Sequence, residues 1–271
     1  MKTRIIAAAV LIPVLLLTVL VLDKGIASVI MGILQAIAAY ELLYRTRLVT
    51  KPRLIVYCAV MAFAIAIWSY MEAIHAYFVL MVLAFFLLLF SEMMRDHVKI
   101  RFETLAMCFL GGLVVPYLMS SVIRILTMSI GRYVILIPFI VACCCDGGAY
   151  FIGIKFGKHK LAPVVSPNKT IEGAIGGLAT GIVTMLLYAV ILDWPLKFDV
   201  NYGAAILYGL LGGLAGELGD LCFSVIKRQT GIKDYGNLIP GHGGVLDRFD
   251  SILAVAPLME ALLLVLPVVI L

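Results

Sequence analysis

The sequence predicts an all-α, polytopic integral membrane protein with about nine transmembrane helices and a cytoplasmic N-terminus. Three observations predict it. Hydrophobic residues make up 63% of the 271-residue chain and charged residues 14%, where soluble domains carry about 25% charged residues; mean hydropathy is +1.12. Apolar runs of roughly 20 residues, the length that crosses a bilayer as a helix, recur along the chain. Lysine and arginine fall almost entirely in alternate connections between those runs.

The runs are 5–22, 25–44, 54–71, 74–91, 105–126, 132–154, 171–192, 203–226 and 251–270. Helices are expected because a backbone that satisfies its own hydrogen bonds is what hydrocarbon tolerates. The first run follows Lys2 and Arg4 as the core of a signal peptide would. It is long, however, and a second run follows almost at once, so a retained helix is expected. Pro13 within it is tolerable in a membrane helix. We expect a single membrane domain, with N-terminal helices in 1–130 and the chemistry-bearing region in 131–271. No internal repeat is visible. The six cysteines include no C-x-x-C pair; Cys143, Cys144 and Cys145 are consecutive and Cys58, Cys108 and Cys222 stand alone in apolar surroundings. Small buried thiols are expected, not a disulfide or zinc framework.

Counted over nine spans, the connections on one side hold 17 of the 21 basic residues. The other side holds Lys24, Arg124, Arg132 and Lys197. The positive-inside rule places the rich side in the cytoplasm and the C-terminus opposite. Removing one span would scramble this sorting. Topology and attraction to anionic lipid account for the loops 45–53 and 95–101. They do not account for the two C-terminal loops, which also carry acids and glycines.

Acids inside apolar runs are costly and mark function. Asp146 lies in Cys-Asp-Gly-Gly-Ala-Tyr and shares a helix face with Tyr150 and Gly153. The eighth run carries Gly209, Gly213 and Gly216, whose size permits close helix packing, and then Glu217 and Asp220 one turn apart. Asp247 and Asp250 share a face at the start of the last run, where a helix N-terminus favours carboxylates. A sharper reading gathers Asp220, Asp247 and Asp146 around one divalent cation, since Mg²⁺ takes carboxylate and phosphate oxygens. Ser166-Pro-Asn-Lys169-Thr170 breaks the chain, and Thr170 is the expected cap of the seventh helix. A helix start beside a lysine is a phosphate site. His242 sits among Gly241, Gly243 and Gly244, which bring backbone N–H groups close to a ligand. The chain has no G-x-x-x-x-G-K-[ST], H-E-x-x-H or G-x-S-x-G, which removes support for P-loop ATPase, zinc protease and serine hydrolase chemistry. Basic residues without interleaved aromatics argue against nucleic acid as a partner.

From Ser224 to Asp250 the chain reads S-x-x-K-R, four residues, K-D-x-G, then P-G-H-G-G-x-x-D-R-x-D. This resembles, position by position, the signature of the CDP-diacylglycerol synthases, also called phosphatidate cytidylyltransferases. Asp146-Gly-Gly-Ala-Tyr and Ser166-Pro-Asn-Lys169-Thr170-Ile-Glu172-Gly173 also resemble that family, so most of the second half is covered. The first half resembles it only in having spans.

The resemblance implies an Mg²⁺-dependent reaction of CTP with phosphatidic acid to give CDP-diacylglycerol and pyrophosphate, at the cytoplasmic face of the cytoplasmic membrane. It implies that Asp220 and Asp247 hold metal, with Asp146 and Asp250 as further ligands. Lys227, Arg228, Lys233 and Arg248 would bind the CTP phosphates or the lipid phosphate, and Asp234 and His242 would shape the loop or contact the nucleotide. Lys169, with Ser166 and Thr170, would form a second phosphate site; Gly243, Gly244 and Ser224 join the substrate-binding set. A second cation and a homodimer stay open. Two rival readings remain within the chemistry, a CTP-dependent lipid kinase and a cytidylyltransferase for another lipid. A secondary transporter would use the intramembrane acids for ions, but the repeat it calls for is missing. A likeness to CDP-alcohol phosphotransferases stops at Asp146-Gly-Gly-Ala.

Overall fold

The computed structural model describes residues 13–71, 75–239, 241 and 243–270. Among them, seven helices are long and apolar enough to cross a membrane: α1 (Lys24–Arg45), α2 (Pro52–Met71), α3 (His75–Arg95), α4 (Phe102–Thr127), α5 (Gly131–Phe156), α6 (Ile171–Asp193) and α7 (Tyr202–Gln229). They coincide with the second to eighth expected runs. Two shorter helices follow, α8 (Leu246–Phe249) and α9 (Ile252–Val265). The run expected over 251–270 is thus helical for only 14 residues. Leu266 leaves helical geometry just before Pro267, and the chain beyond pairs antiparallel with an earlier connection, Val269–Ile270 against Asp199–Val200. Proline disfavours helical geometry in the residue before it, which explains the early stop. Residues 5–12 of the first expected run lie outside the described residues; toward its end, Leu17–Val21 forms a π turn.

The chain divides into two compact units, Met1–Ser129 with Thr230–Phe249, and Ile130–Gln229 with Asp250–Leu271.

The first unit is built on α1 to α4. Its core gathers Leu43, Leu54, Cys58, Ile65, Leu89 and Leu105, all fully buried. Small residues set the spacing: a Cβ on Gly32 would lie 2.8 Å from the Phe63 ring, and one on Gly112 would lie 2.9 Å from Cys58. α4 is not one regular helix. A π turn at Leu110–Val114 and a break at Ser120 divide it, and Ser120 uses its hydroxyl to pair with buried Gln35 of α1 at 3.0 Å. Such interhelical bonds contribute about 0.6 kcal/mol in membrane bundles. On α3, the carboxylate of buried Glu92 meets Arg53 at 3.4 Å and Arg95 at 3.7 Å.

The second unit packs α5, α6, α7 and α9. Gly177 lies so close to α5 that a Cβ would stand 2.8 Å from the Cys145 carbonyl; Gly213 and Gly216 bring α7 close to Leu178 and Val255 in the same way. The packing role expected of the α7 glycines is therefore observed. Between α5 and α6 the chain forms a small antiparallel hairpin, β1 (Lys160–Ala162) and β2 (Ser166–Thr170), with Lys160 opposite Thr170. Thr170 ends the hairpin and caps α6, its hydroxyl accepting from the Gly173 N–H at 3.1 Å, as expected. The cysteines differ from expectation in part. Cys58, Cys108 and Cys145 are buried, but Cys143 and Cys222 are exposed on the outer faces of α5 and α7. A thiol is small and apolar enough to face lipid as readily as a core.

Candidate active site

In the second unit, three elements bring charged side chains to one cavity. α5 contributes Asp146, the end of β2 contributes Lys169, and α7 contributes Glu217 and Asp220. The cavity measures about 550 Å³, and Tyr150 and Gly153 line it beside Asp146, as their shared helix face requires. Lys169 Nζ lies 2.6 Å from Asp220 Oδ2 and 3.1 Å from Glu217 Oε2. The Ser251 hydroxyl, at the start of α9, donates to Asp146 Oδ2 at 3.4 Å.

The local sequence explains this arrangement. Glu217 and Asp220 are three residues apart, so α7 presents both on one side. The hairpin turns the chain so that Lys169 enters the cavity immediately before the Thr170 cap starts α6. Burial by itself would lower the Lys169 pKa, but the Asp220 and Glu217 carboxylates overcome it and hold the ammonium above the ordinary lysine value. Lys169 is therefore charged throughout the physiological range. Three carboxylates face Lys169 inside the cavity and the exposed Lys160 at its rim, so acids outnumber bases. Among the described residues no group of three His, Cys, Asp or Glu forms a ready-made metal site. The donor chemistry nevertheless suits a hard cation: Asp146 and Asp220 offer carboxylate oxygens from separate helices, with an excess of negative charge between them.

Further along α7, Lys227 is buried and lies 3.7 Å from Asp250 Oδ2. Arg228 is exposed and donates through Nε to the Val165 carbonyl at 3.2 Å, tying α7 to the hairpin. Ser224 and Ser166 are half-buried.

In the first unit, the segment Thr230–Phe249 is organised around two carboxylates. Asp247 is buried, and its Oδ2 accepts from the Tyr235 N–H at 2.8 Å and the Gly244 N–H at 3.0 Å. Glu41 of α1 accepts from the Val245 N–H at 3.2 Å and the Leu246 N–H at 2.9 Å. Gly243 has φ +82°, in the left-handed region where a side chain would be strained. Lys233, Asp234 and Arg248 are exposed. His242 lies outside the described residues.

Of the residues singled out in the sequence, Asp146, Lys169, Thr170 and Asp220 thus line one cavity. Asp250 and Lys227 form a separate pair within the same unit. Asp247, Gly243, Gly244, Lys233, Asp234 and Arg248 belong to the first unit, where Asp247 organises backbone. Sequence reading did not assign a role to Glu217 or Glu41. Glu217 had a visible signal, its one-turn spacing from Asp220. Glu41 had only the weaker signal of an acid at the end of an apolar run.

A model of the cytidylyltransferase family matches residues 2–266 of the chain. Similar curated proteins include phosphatidate cytidylyltransferases of Staphylococcus haemolyticus (strain JCSC1435), 46% identical over 138 residues, and of Staphylococcus aureus (strain COL), 45% identical over 138 residues. That of Staphylococcus epidermidis (strain ATCC 35984) is 44% identical. Each alignment covers 51% of this chain and 52% of the relative, so the chain spans about half the length of the curated relatives it matches.

Proposed function

We propose that this chain, which belongs to the cytidylyltransferase family, is a phosphatidate cytidylyltransferase that makes CDP-diacylglycerol and pyrophosphate from CTP and phosphatidic acid. The observation that carries this reading is the charged cavity in which Lys169 stands among Asp146, Glu217 and Asp220. The names of the similar staphylococcal proteins point the same way.

In this reading a lipid phosphate oxygen attacks the α-phosphorus of CTP. A new P–O bond forms, the bond to the β-phosphate oxygen breaks, and pyrophosphate leaves with the electron pair. The nucleophile is already anionic, so no strong base is required. The barrier lies in bringing two polyanions together and in stabilising the leaving group. Lys169 is poised for the first task, since its ammonium can exchange the Asp220 and Glu217 carboxylates for a phosphate oxygen without moving far. Lys227, Arg228, Lys233 and Arg248 supply further positive charge toward phosphates. Asp146 and Asp220 would hold Mg²⁺, with Asp247 and Asp250 as further candidates. When bound, the ion supplies charge neutralisation for the phosphates.

We also propose nine spans, the last of them the short helix Ile252–Val265, an N-terminus in the cytoplasm, and a cavity that opens to the cytoplasmic side of the cytoplasmic membrane. The sorting of 17 of 21 basic residues to one side supports this topology.

The test is pyrophosphate release by detergent-solubilised protein given CTP and phosphatidic acid, with and without Mg²⁺. Release that requires both substrates and the metal, with a CDP-lipid product, is expected. CDP with a newly phosphorylated lipid would replace this reading with a lipid kinase.

A further inference from the structure

We infer that Glu41, in the N-terminal half of the chain, is a positioning residue that clamps a glycine-rich segment, residues 235–239 and 243–247, in its working shape. The inference rests on the cytidylyltransferase reading, because it takes that segment to be part of the reacting machinery. The placement itself stands on geometry alone.

Glu41 belongs to an apolar helix yet is only 3% exposed. A carboxylate there is costly unless it is fully engaged. Its two oxygens accept from consecutive backbone N–H groups, Oε1 from Val245 at 3.2 Å and Oε2 from Leu246 at 2.9 Å. Those N–H groups stand at the start of the short α8. The regular winding of α1 gives way to a π turn over Glu41–Arg45. Such turns re-aim side chains and recur at functional positions.

The segment is shaped to receive this carboxylate. A Cβ on Gly236 or on Gly244 would run into the Glu41 carboxylate itself. Two glycines of the segment are therefore glycine because Glu41 fills the space beside them. On the other side Asp247 accepts from Tyr235 and Gly244. The loop is laced by two acids: Asp247 closes it on itself, and Glu41 fixes it to α1. The signature motifs legible in the sequence lie in the second half of the chain. Glu41 ties the first half of the chain to that segment.

The test compares wild-type protein with Glu41→Gln and Glu41→Ala in detergent. Three readouts are taken: turnover and KM for CTP, melting temperature, and backbone hydrogen exchange of peptides covering 243–247 against peptides of α2. Glutamine preserves size but sets an amide NH₂ against a backbone N–H, so roughly a tenfold rise in exchange at 243–247 is expected. The α2 peptides are expected to stay as in wild type, whereas the melting temperature falls modestly as hydrogen bonds to a charged acceptor are weakened. Turnover is expected to fall about tenfold or more with little change in KM, because a misplaced loop weakens transition-state contacts more than ground-state binding. If Glu41→Ala fails to fold, Glu41→Gln decides the question. Wild-type turnover and wild-type exchange in Glu41→Gln would overturn the inference, as would exchange that rises equally in α2. Should wild-type protein release no pyrophosphate from CTP and phosphatidic acid, the cytidylyltransferase reading falls. Exchange at 243–247 then still decides whether the clamp exists.

Discussion

The two units put buried acids to opposite uses. In the second unit, Asp146, Glu217 and Asp220 surround an ammonium and border open space. In the first, Glu41 and Asp247 bind backbone N–H groups and leave a loop with a defined shape. A carboxylate that faces a mobile cation can trade partners during a reaction. A carboxylate held by two amides cannot do so without undoing the backbone around it. The cavity acids of the second unit can therefore exchange partners, whereas Glu41 and Asp247 of the first are engaged with backbone.

The comparison can be broken most directly at Lys169. Lys169→Met should reduce pyrophosphate release by about 10²- to 10³-fold, the usual cost of removing one charge-stabilising donor. Lys169→Arg should recover part of it; near-normal turnover in the methionine variant would remove the cavity from the chemistry. Next come Asp220→Asn and Asp247→Asn, measured side by side for Mg²⁺ titration and melting temperature. Asp220→Asn should raise the Mg²⁺ concentration needed for half-maximal rate and leave the melting temperature nearly unchanged. Asp247→Asn should lower the melting temperature, because hydrogen bonds to a charged acceptor contribute about 1.5–3 kcal/mol. The reverse pattern would exchange the roles assigned to the two units. Gly244→Ala comes third: its methyl overlaps the Glu41 carboxylate, and overpacking of this kind costs about 1–3 kcal/mol. A melting temperature equal to wild type would show that Glu41 can retreat at no cost. The smallest effect is on pH dependence. The raised pKa of Lys169 stabilises the folded state below the ordinary lysine value of about 10.4. That contribution should disappear as pH rises through the higher folded value, and Lys169→Met should flatten the alkaline limb of the melting curve.

Hydropathy made α1 to α7 legible, because a helix in hydrocarbon is read from length and apolar content alone. It failed at the last run, where Val269 and Ile270 are as apolar as any helix residue but pair with Asp199–Val200. Pro267 was the available warning. The hairpin Lys160–Thr170 was legible only as a break at Pro167 and Asn168, since three- and five-residue strands leave no periodicity to count. In the site, spacing foretold that Asp146, Tyr150 and Gly153 share a face and that Thr170 caps α6. It could not foretell that Asp247 would accept two backbone N–H groups, because an acid that shapes a loop and an acid that holds a metal look identical in sequence. Glu41 was hidden for a related reason: its partners are amides 204 and 205 positions away, and amides carry no residue signature.

The close approach of α5, α6 and α7 bears on how such a chain can change over generations. A methyl on Gly213 would first meet the end of the Leu178 side chain, at 2.9 Å from Cδ2, so Gly213→Ala can be eased by trimming Leu178 to alanine. A methyl on Gly209 would strike the Ile182 backbone, which no second substitution can remove. The first position can drift along with its neighbour; the second is closed to drift.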